Sequence, residues 1–250
     1  TQLEEAAESV VVSIEAFVEK EPITILCSEH GWIKALKGHT DDVSSVKYKD
    51  GDKERFVLKA HTTDRLLVFT DNGKFYTIGC NTISGGKGHG DPMRLLVDMD
   101  ERTHIVNLLI YNDDLKILLA NNAGRGFVVP AEDVVAQTKN GKQVLNLSAG
   151  LTGVVCTPVT GDSVAVIGQN RKLLIFDIDE IPVMKKGAGV ILQRYKQGGL
   201  SDAKCFVREE GLSWQLGKKI RTETDLLAWI NKRGTAGRLP PTGFPKSNTF

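Results

Sequence analysis

Apolar positions in this chain come in short runs, broken by glycine, asparagine or aspartate, and the runs fall in pairs. The first pair is Ile23 to Cys27 and Trp32 to Ala35, around Glu29-His30-Gly31. The second, Leu66 to Thr70 and Lys74 to Ile78, flanks Asp71-Asn72-Gly73, where Asn-Gly supplies the positive φ values of a two-residue hairpin turn. The third joins Leu115 to Ala120 with Phe127 to Val129 through Asn121 to Gly124, and the fourth joins Val164 to Ile167 with Leu173 to Phe176 through Gln169-Asn170. A degenerate fifth sets Leu212 to Leu216 against Lys219 to Thr222 across Gly217.

After most hairpins comes a short acidic-apolar turn, as in Glu132-Asp133-Val134-Val135, Asp179-Glu180-Ile181-Pro182 and Asp225-Leu226-Leu227. A basic loop follows, and then two further apolar runs read as strands. These are Leu95 to Val97 with Ile105 to Ile110, Val144 to Leu147 with Val154 to Cys156, and Val190 to Leu192 with Cys205 to Val207. Four strands per repeat in a ring predict an all-β, propeller-like architecture of about five blades, which leaves few unpaired edges. The first repeat departs from the rest, because Gly38 follows its hairpin closely and the acidic turn is missing. Residues 1–20 read as a linker, with a short helix over Leu3 to Glu8 and a ring-completing strand over Val10 to Ile14; residues 21–239 form the body and 240–250 an irregular tail.

The basic loops recur as Lys37-Gly38-His39, Lys87-Gly88-His89, Lys139-Asn140-Gly141-Lys142, Lys185-Lys186-Gly187 and Lys232-Arg233-Gly234. Their glycines are spaced by 46 to 53 residues, a blade-type period. Glycine lets a backbone approach a phosphate closely, and Lys or Arg displaces its counterions. The repeat therefore predicts one DNA-binding rim carrying Lys37, His39, Lys87, His89, Lys139, Lys142, Lys185, Lys186, Lys232 and Arg233, supported by Arg94 and Arg238.

Net charge is only +1, yet residues 1–33 carry seven glutamates against Lys20, a balance of −6, so the remainder carries +7. A hydrophobic fraction of 41% and a charged fraction of 25% belong to a soluble globular chain, with no apolar run long enough to cross a bilayer. The chain opens on Thr1 rather than Met, which reads as an excised fragment. Cys27, Cys80, Cys156 and Cys205 form no C-x-x-C pair and read as reduced core thiols, consistent with a cytoplasmic setting.

No catalytic constellation emerges. The Gly-Lys dipeptides at 73–74, 86–87, 141–142 and 217–218 are not followed by Ser or Thr, so the magnesium-binding hydroxyl of a phosphate loop is missing. Arg194-Tyr195 has the Arg-Tyr order of a topoisomerase nucleophile, but it sits inside a repeat, with no acidic metal cluster beside it. The histidines have no Ser or Cys partner in a nucleophile motif, and no metal site is expected. The tryptophans and double glycines match neither WD40 nor kelch repeats.

On these residues the chain resembles the family of C-terminal domains from the A subunits of bacterial topoisomerase IV, close relatives of the gyrase A C-terminal domain. The strongest stretch is Glu21 to Ile25 through Gly31-Trp32-Ile33-Lys34-Ala35-Leu36-Lys37-Gly38-His39. Asn72-Gly73-Lys74, Gly85-Gly86-Lys87-Gly88 with Asp91-Pro92, Gly124-Arg125-Gly126-Phe127-Val128 and Lys186-Gly187-Ala188-Gly189 add to it. The resemblance implies a β-pinwheel whose neighbouring blades exchange strands. It also implies sequence-independent binding of double-stranded DNA within an A2B2 type IIA topoisomerase, working in the bacterial cytoplasm at the chromosome. ATP and magnesium are implied for the parent complex only, and no cofactor for this fragment. Gyrase carries a Gln-Arg-Arg-Gly-Gly-x-Gly box where this chain reads Thr82-Ile83-Ser84-Gly85-Gly86-Lys87-Gly88. The missing arginines favour topoisomerase IV over a gyrase wrapping domain. The other alternative is a protein-interaction propeller whose basic loops are incidental.

Overall fold

The computed structural model describes residues 18–86 and 88–250. The helix and strand expected within residues 3–14 lie outside the described residues, as does Lys87. In chain order the strands are β1 (Pro22–Ser28), β2 (Trp32–Lys37), β3 (Glu54–His61), β4 (Arg65–Thr70), β5 (Lys74–Gly79), β6 (Asp91–Pro92), β7 (Ile105–Ile110), β8 (Lys116–Asn121) and β9 (Arg125–Pro130). They continue with β10 (Lys142–Gln143), β11 (Gly153–Pro158), β12 (Ser163–Gly168), β13 (Leu173–Asp177), β14 (Val190–Ile191), β15 (Leu200–Phe206), β16 (Leu212–Leu216) and β17 (Lys219–Glu223). The five hairpins expected from the sequence are all present, each within a residue or two of its expected bounds.

Three sheets have four strands, in the orders β3-β1-β2-β6, β10-β5-β4-β7 and β11-β8-β9-β14. The fourth is β13-β12-β15 and the fifth is the β16-β17 hairpin alone. The chain divides into two compact units: Thr1–Leu67 with Thr77–Asp100 and Leu108–Tyr111, and Val68–Tyr76 with Glu101–Asn107 and Asn112–Phe250.

The first hairpin strand is the most buried strand of each of the middle sheets. β4, β8 and β12 are buried along nearly their whole length, so they read as continuous apolar runs rather than alternations. In the second unit Leu118, Val128, Val164, Leu174 and Leu192 belong to one core cluster, and Ile167, Leu173, Trp214 and Phe244 to another. The tail has no regular structure but is fastened down. Phe244 is buried against Trp214, and the Arg171 guanidinium donates to Pro245 O at 2.8 Å and to Asn248 Oδ1 at 2.9 Å.

The hairpin turns differ from the two-residue form expected at Asn72-Gly73. Strand β4 ends at Thr70 and β5 begins at Lys74, and the Gly73 amide returns to Thr70 O at 3.0 Å. This is a three-residue loop whose last residue takes positive φ, here +81°. Gly31 and Gly124 repeat it, and Arg171, at φ +63°, holds the same conformation without being glycine.

Two further expectations are corrected. Leu95 to Val97 is not a strand: Met93–Leu95 form a 3-10 turn, and Met93 and Val97 are buried as plugs. Val144 to Leu147 is not a strand either: β10 is Lys142–Gln143, just before it, and Leu145 makes only a single parallel bridge to Gly187. Val190 to Leu192 shrinks to Val190–Ile191; Val144, Leu145 and Leu192 are apolar because they are buried. Conversely β3 was not anticipated, although Phe56, Leu58 and Ala60 alternate with Arg55, Val57 and Lys59 along it.

All four cysteines are free and buried. Burial pushes the Cys27, Cys80 and Cys205 thiols up to about 12, and Cys156 higher still. At pH 8 all four are therefore protonated and inaccessible. An aromatic disulfide reagent is expected to label none within minutes under native conditions and all four in denaturant. Fast labelling of any one would contradict the burial.

Candidate nucleic-acid interface

Each short strand β6, β10 and β14 arises late in one repeat but pairs with the second hairpin strand of the repeat before it. Thus β6 pairs with β2, β10 with β5 and β14 with β9. Arg238 repeats the device as a single antiparallel bridge to Leu173 on β13. These are exchanged strands. The residue just before the exchange is always glycine: Gly90, Gly141, Gly189 and Gly237.

The glycine is dictated by the crossing itself. A methyl group built on Gly189, at φ +80°, would lie 2.1 Å from Gly126 O, and one on Gly90 2.2 Å from Ile33 O. The four positions are spaced by 51, 48 and 48 residues, tighter than the loop glycines read from the sequence. Of those loop glycines only Gly141 is a crossing residue, while Gly38 and Gly88 face open space. Close backbone packing therefore accounts for the period of the crossing glycines, but among the loop glycines only for Gly141.

Within the second unit the basic loops are fastened in succession. The Gly187 amide donates to Val144 O at 3.1 Å, and Asn146 returns to Gly187 O at 2.8 Å. One repeat later Gly234 donates to Leu192 O at 2.9 Å and Arg194 to Thr235 O at 3.2 Å. The loops at Gly187 and Gly234 thus each rest on the segment that follows the previous exchanged strand. Lys139, Lys142, Lys185, Lys186 and Lys232 lie on the basic loops with exposed side chains. None of the five is ion-paired with a described residue, so their charge is available to a ligand.

In the first unit the equivalence assumed from the sequence does not hold. Lys37 ends β2, and the Gly38 amide turns back onto Pro22 O at 2.8 Å. Later repeats put a 3-10 turn at this point, Ala131–Asp133 or Ile178–Glu180, and the exchange loop comes afterwards. His39 has its Nε2 2.8 Å from Ala60 O and its ring edge-on to His61, whereas His89 has its Nδ1 3.2 Å from Lys47 O. The two histidines therefore do different things. Arg94 is exposed on the Met93–Leu95 turn and has interactions of its own.

One arginine of the expected rim is engaged elsewhere. Arg233 is half-buried, with its Nε donating to Glu180 O and its Nη1 to Ile191 O, both at 2.7 Å. Arg238 is exposed and lines an open cleft together with Glu223, Asp225 and Trp229. Four cations outside the rim expected from the sequence lie beside the loops. Lys34 Nζ donates to Gly88 O at 3.0 Å, Lys74 Nζ to Asn140 O at 3.5 Å, Arg125 Nη1 to Gly189 O at 3.5 Å, and Arg194 is exposed next to Thr235. A legible signal existed for Lys74 and Arg125, since both directly follow the positive-φ glycine of a hairpin loop.

Tyr195 is a packing residue. Its ring wedges against two glycines, with Cε2 2.7 Å from where a Gly124 side chain would begin and Cε1 2.8 Å from the same point on Gly168. Its hydroxyl is buried with no partner among the described residues, and desolvation raises its pKa well above the usual phenol value. A nucleophile needs the opposite environment. Tyr195→Phe removes an unsatisfied buried hydroxyl, so it is expected to leave stability unchanged or raise it by about 1 kcal/mol in denaturant unfolding. A loss of more than that would show that the hydroxyl bonds to something in solution. Among the described residues no cluster of His, Cys, Asp or Glu is arranged to hold a metal ion.

With this geometry in view, the comparisons define the class first. The model of the DNA gyrase C-terminal domain, a β-propeller, matches residues 64–90, 115–150 and 162–200, segments that begin at the second, third and fourth hairpins. The chain belongs to this family, the C-terminal domains of type IIA topoisomerase A subunits. Within it, the chain groups with the A subunits of topoisomerase IV. It is 53% identical over 240 residues to the A subunit of DNA topoisomerase 4 from Rickettsia bellii, covering 96% of this chain and 32% of that protein. Identity to the corresponding protein of Caulobacter vibrioides is 42% over 240 residues, covering 95% of this chain and 31% of the relative. The solved C-terminal domain of E. coli ParC superposes with a TM-score of 0.77 at 25% identity, covering 90% of this chain and 96% of that one. The chain spans about a third of the length of the curated relatives it matches. No described helix is long and apolar enough to cross a membrane.

Proposed function

We propose that this chain is the DNA-binding module of a topoisomerase IV of the A2B2 type, holding duplex on the exposed lysines of its exchange loops. The observation that carries this reading is the stitched succession of loops bearing Lys139, Lys142, Lys185, Lys186 and Lys232. A series of unpaired cations on backbone loops suits a phosphate backbone and carries no base code. In this reading two full-length A subunits combine with two B subunits, and the complex passes one duplex through another in the cytoplasm, using ATP and magnesium. This module contributes neither nucleophile nor cofactor; it binds and bends the segment that the core acts on. Decatenation and supercoil relaxation are then the parent's reactions.

The test is a titration of labelled linear duplex at two salt concentrations. Five phosphate contacts give a log–log slope of about −4.5, so a rise from about 50 to 200 mM salt weakens binding about five-hundredfold. Salt-independent binding to a protein partner, with no duplex affinity, would instead identify an interaction propeller. Gyrase-like wrapping is disfavoured because Ile83 is buried and Ser84 O is occupied by the Ala35 amide at 2.9 Å. Where the gyrase box presents two arginines, Ile83 and Ser84 carry no charge. Plasmid relaxed by a nicking-closing enzyme in the presence of this chain is expected to keep its linking number close to that of the control. A large stoichiometric shift would move the assignment to gyrase.

A further inference from the structure

Among the described residues of the exchange loops, Arg233 is the cation whose side chain is already bonded, and its partners lie on two other segments. Its Nε reaches Glu180 O and its Nη1 reaches Ile191 O, both at 2.7 Å, while its own amide donates to Glu180 Oε1 at 3.1 Å. Glu180 in turn closes the 3-10 turn Ile178–Glu180, where its Oε2 accepts the Asp177 amide at 3.3 Å. Ile191 lies on the exchanged strand β14. The planar guanidinium thus ties the turn after β13, the exchanged strand and the Lys232 loop into one piece. Lys232, its immediate neighbour, is exposed.

We infer that Arg233 is a positioning residue, bracing the Lys232 loop so that Lys232 meets the phosphate backbone, rather than a phosphate contact itself. The inference rests on the DNA-binding reading above, which it refines. An arginine fork directs two donors at two carbonyls from a fixed plane; a lysine ammonium is a point charge on a flexible stem and cannot do so. The two roles therefore separate under conservative replacement. A phosphate contact tolerates Arg233→Lys, because the charge persists; a brace does not.

The experiment compares the wild-type chain with Arg233→Lys, Arg233→Ala, Lys232→Ala and the Lys232→Ala/Arg233→Ala double variant, titrating a labelled linear duplex across a salt series. Lys232→Ala is expected to reduce the salt slope by about 0.9. Both Arg233 variants are expected to weaken binding several-fold alike. The double variant should bind about as well as Lys232→Ala alone, since both changes disable the same contact. Amide exchange at residues 232–235 should quicken in both Arg233 variants without any DNA present. The inference is overturned if Arg233→Lys binds like wild type, or if Arg233→Ala lowers the slope by about 0.9 additively with Lys232→Ala. If Lys232→Ala leaves the slope untouched, the DNA reading of this loop fails. The exchange data then still decide whether Arg233 braces it.

Discussion

Replacing Lys139, Lys142, Lys185 and Lys186 together by alanine is expected to lower duplex affinity on the order of 10³-fold near 0.1 M salt, and to flatten the salt slope by about 3.6. The four are exposed, and none of them forms an ion pair with a described residue, so their removal should leave the fold intact. Exposed charges of this kind contribute little to stability, and the melting temperature should move by no more than a degree or two. Loss of affinity with an unchanged thermal transition is thus the expected pair of results. The effect should be the same on duplexes of unrelated sequence, because contacts to phosphate fix position without reading bases. A quadruple variant that keeps its slope would remove the loops from the interface altogether.

The second large effect concerns the crossing glycines. Gly189→Ala places a methyl 2.1 Å from Gly126 O and 2.3 Å from its carbonyl carbon, at a φ of +80°. Backbone cannot retreat as a flexible side chain can, so strain and clash act together. A destabilisation of about 4 kcal/mol is expected, roughly 10 °C in melting temperature for a chain of this length. Gly38→Ala is the control: its φ is +77°, but nothing lies within 4 Å of the added methyl. Only the conformational cost remains there, about 1 kcal/mol. Thermal denaturation followed by circular dichroism distinguishes the two, and equal shifts would show that the crossing tolerates a side chain.

The hairpins were legible because their signal is local. A short apolar run, a glycine turn and a second run specify two strands whatever surrounds them, and β4–β5 and β12–β13 fall where the pattern puts them. Exchange itself was legible only through the family resemblance, since Lys142–Gln143 and Asp91–Pro92 carry no strand signal of their own. Two residues cannot display a period, and their partners lie some sixty residues away in the preceding repeat. The site was partly legible for the same reason. Charge beside glycine marks the loops at Lys139, Lys142, Lys185, Lys186 and Lys232. Whether a given cation points outwards or is bonded to a distant carbonyl, as with Arg233 and Arg125, depends on tertiary partners that no window of sequence contains.

Strand exchange also sets the unit in which such a chain can be lengthened or shortened. The sequence repeat begins at a hairpin, but a sheet is complete only when two residues from the following repeat have reached its edge. A deletion cut cleanly between hairpins would strip the upstream sheet of its last strand and leave the next crossing glycine with nothing to cross. Gain or loss of a blade must therefore break the chain after an exchanged strand, beyond Gln143 or Ile191 for instance, so that each inherited module carries the edge of its predecessor. Blade number in this architecture is inherited in offset steps, and the basic loop travels with the seam rather than with the hairpin.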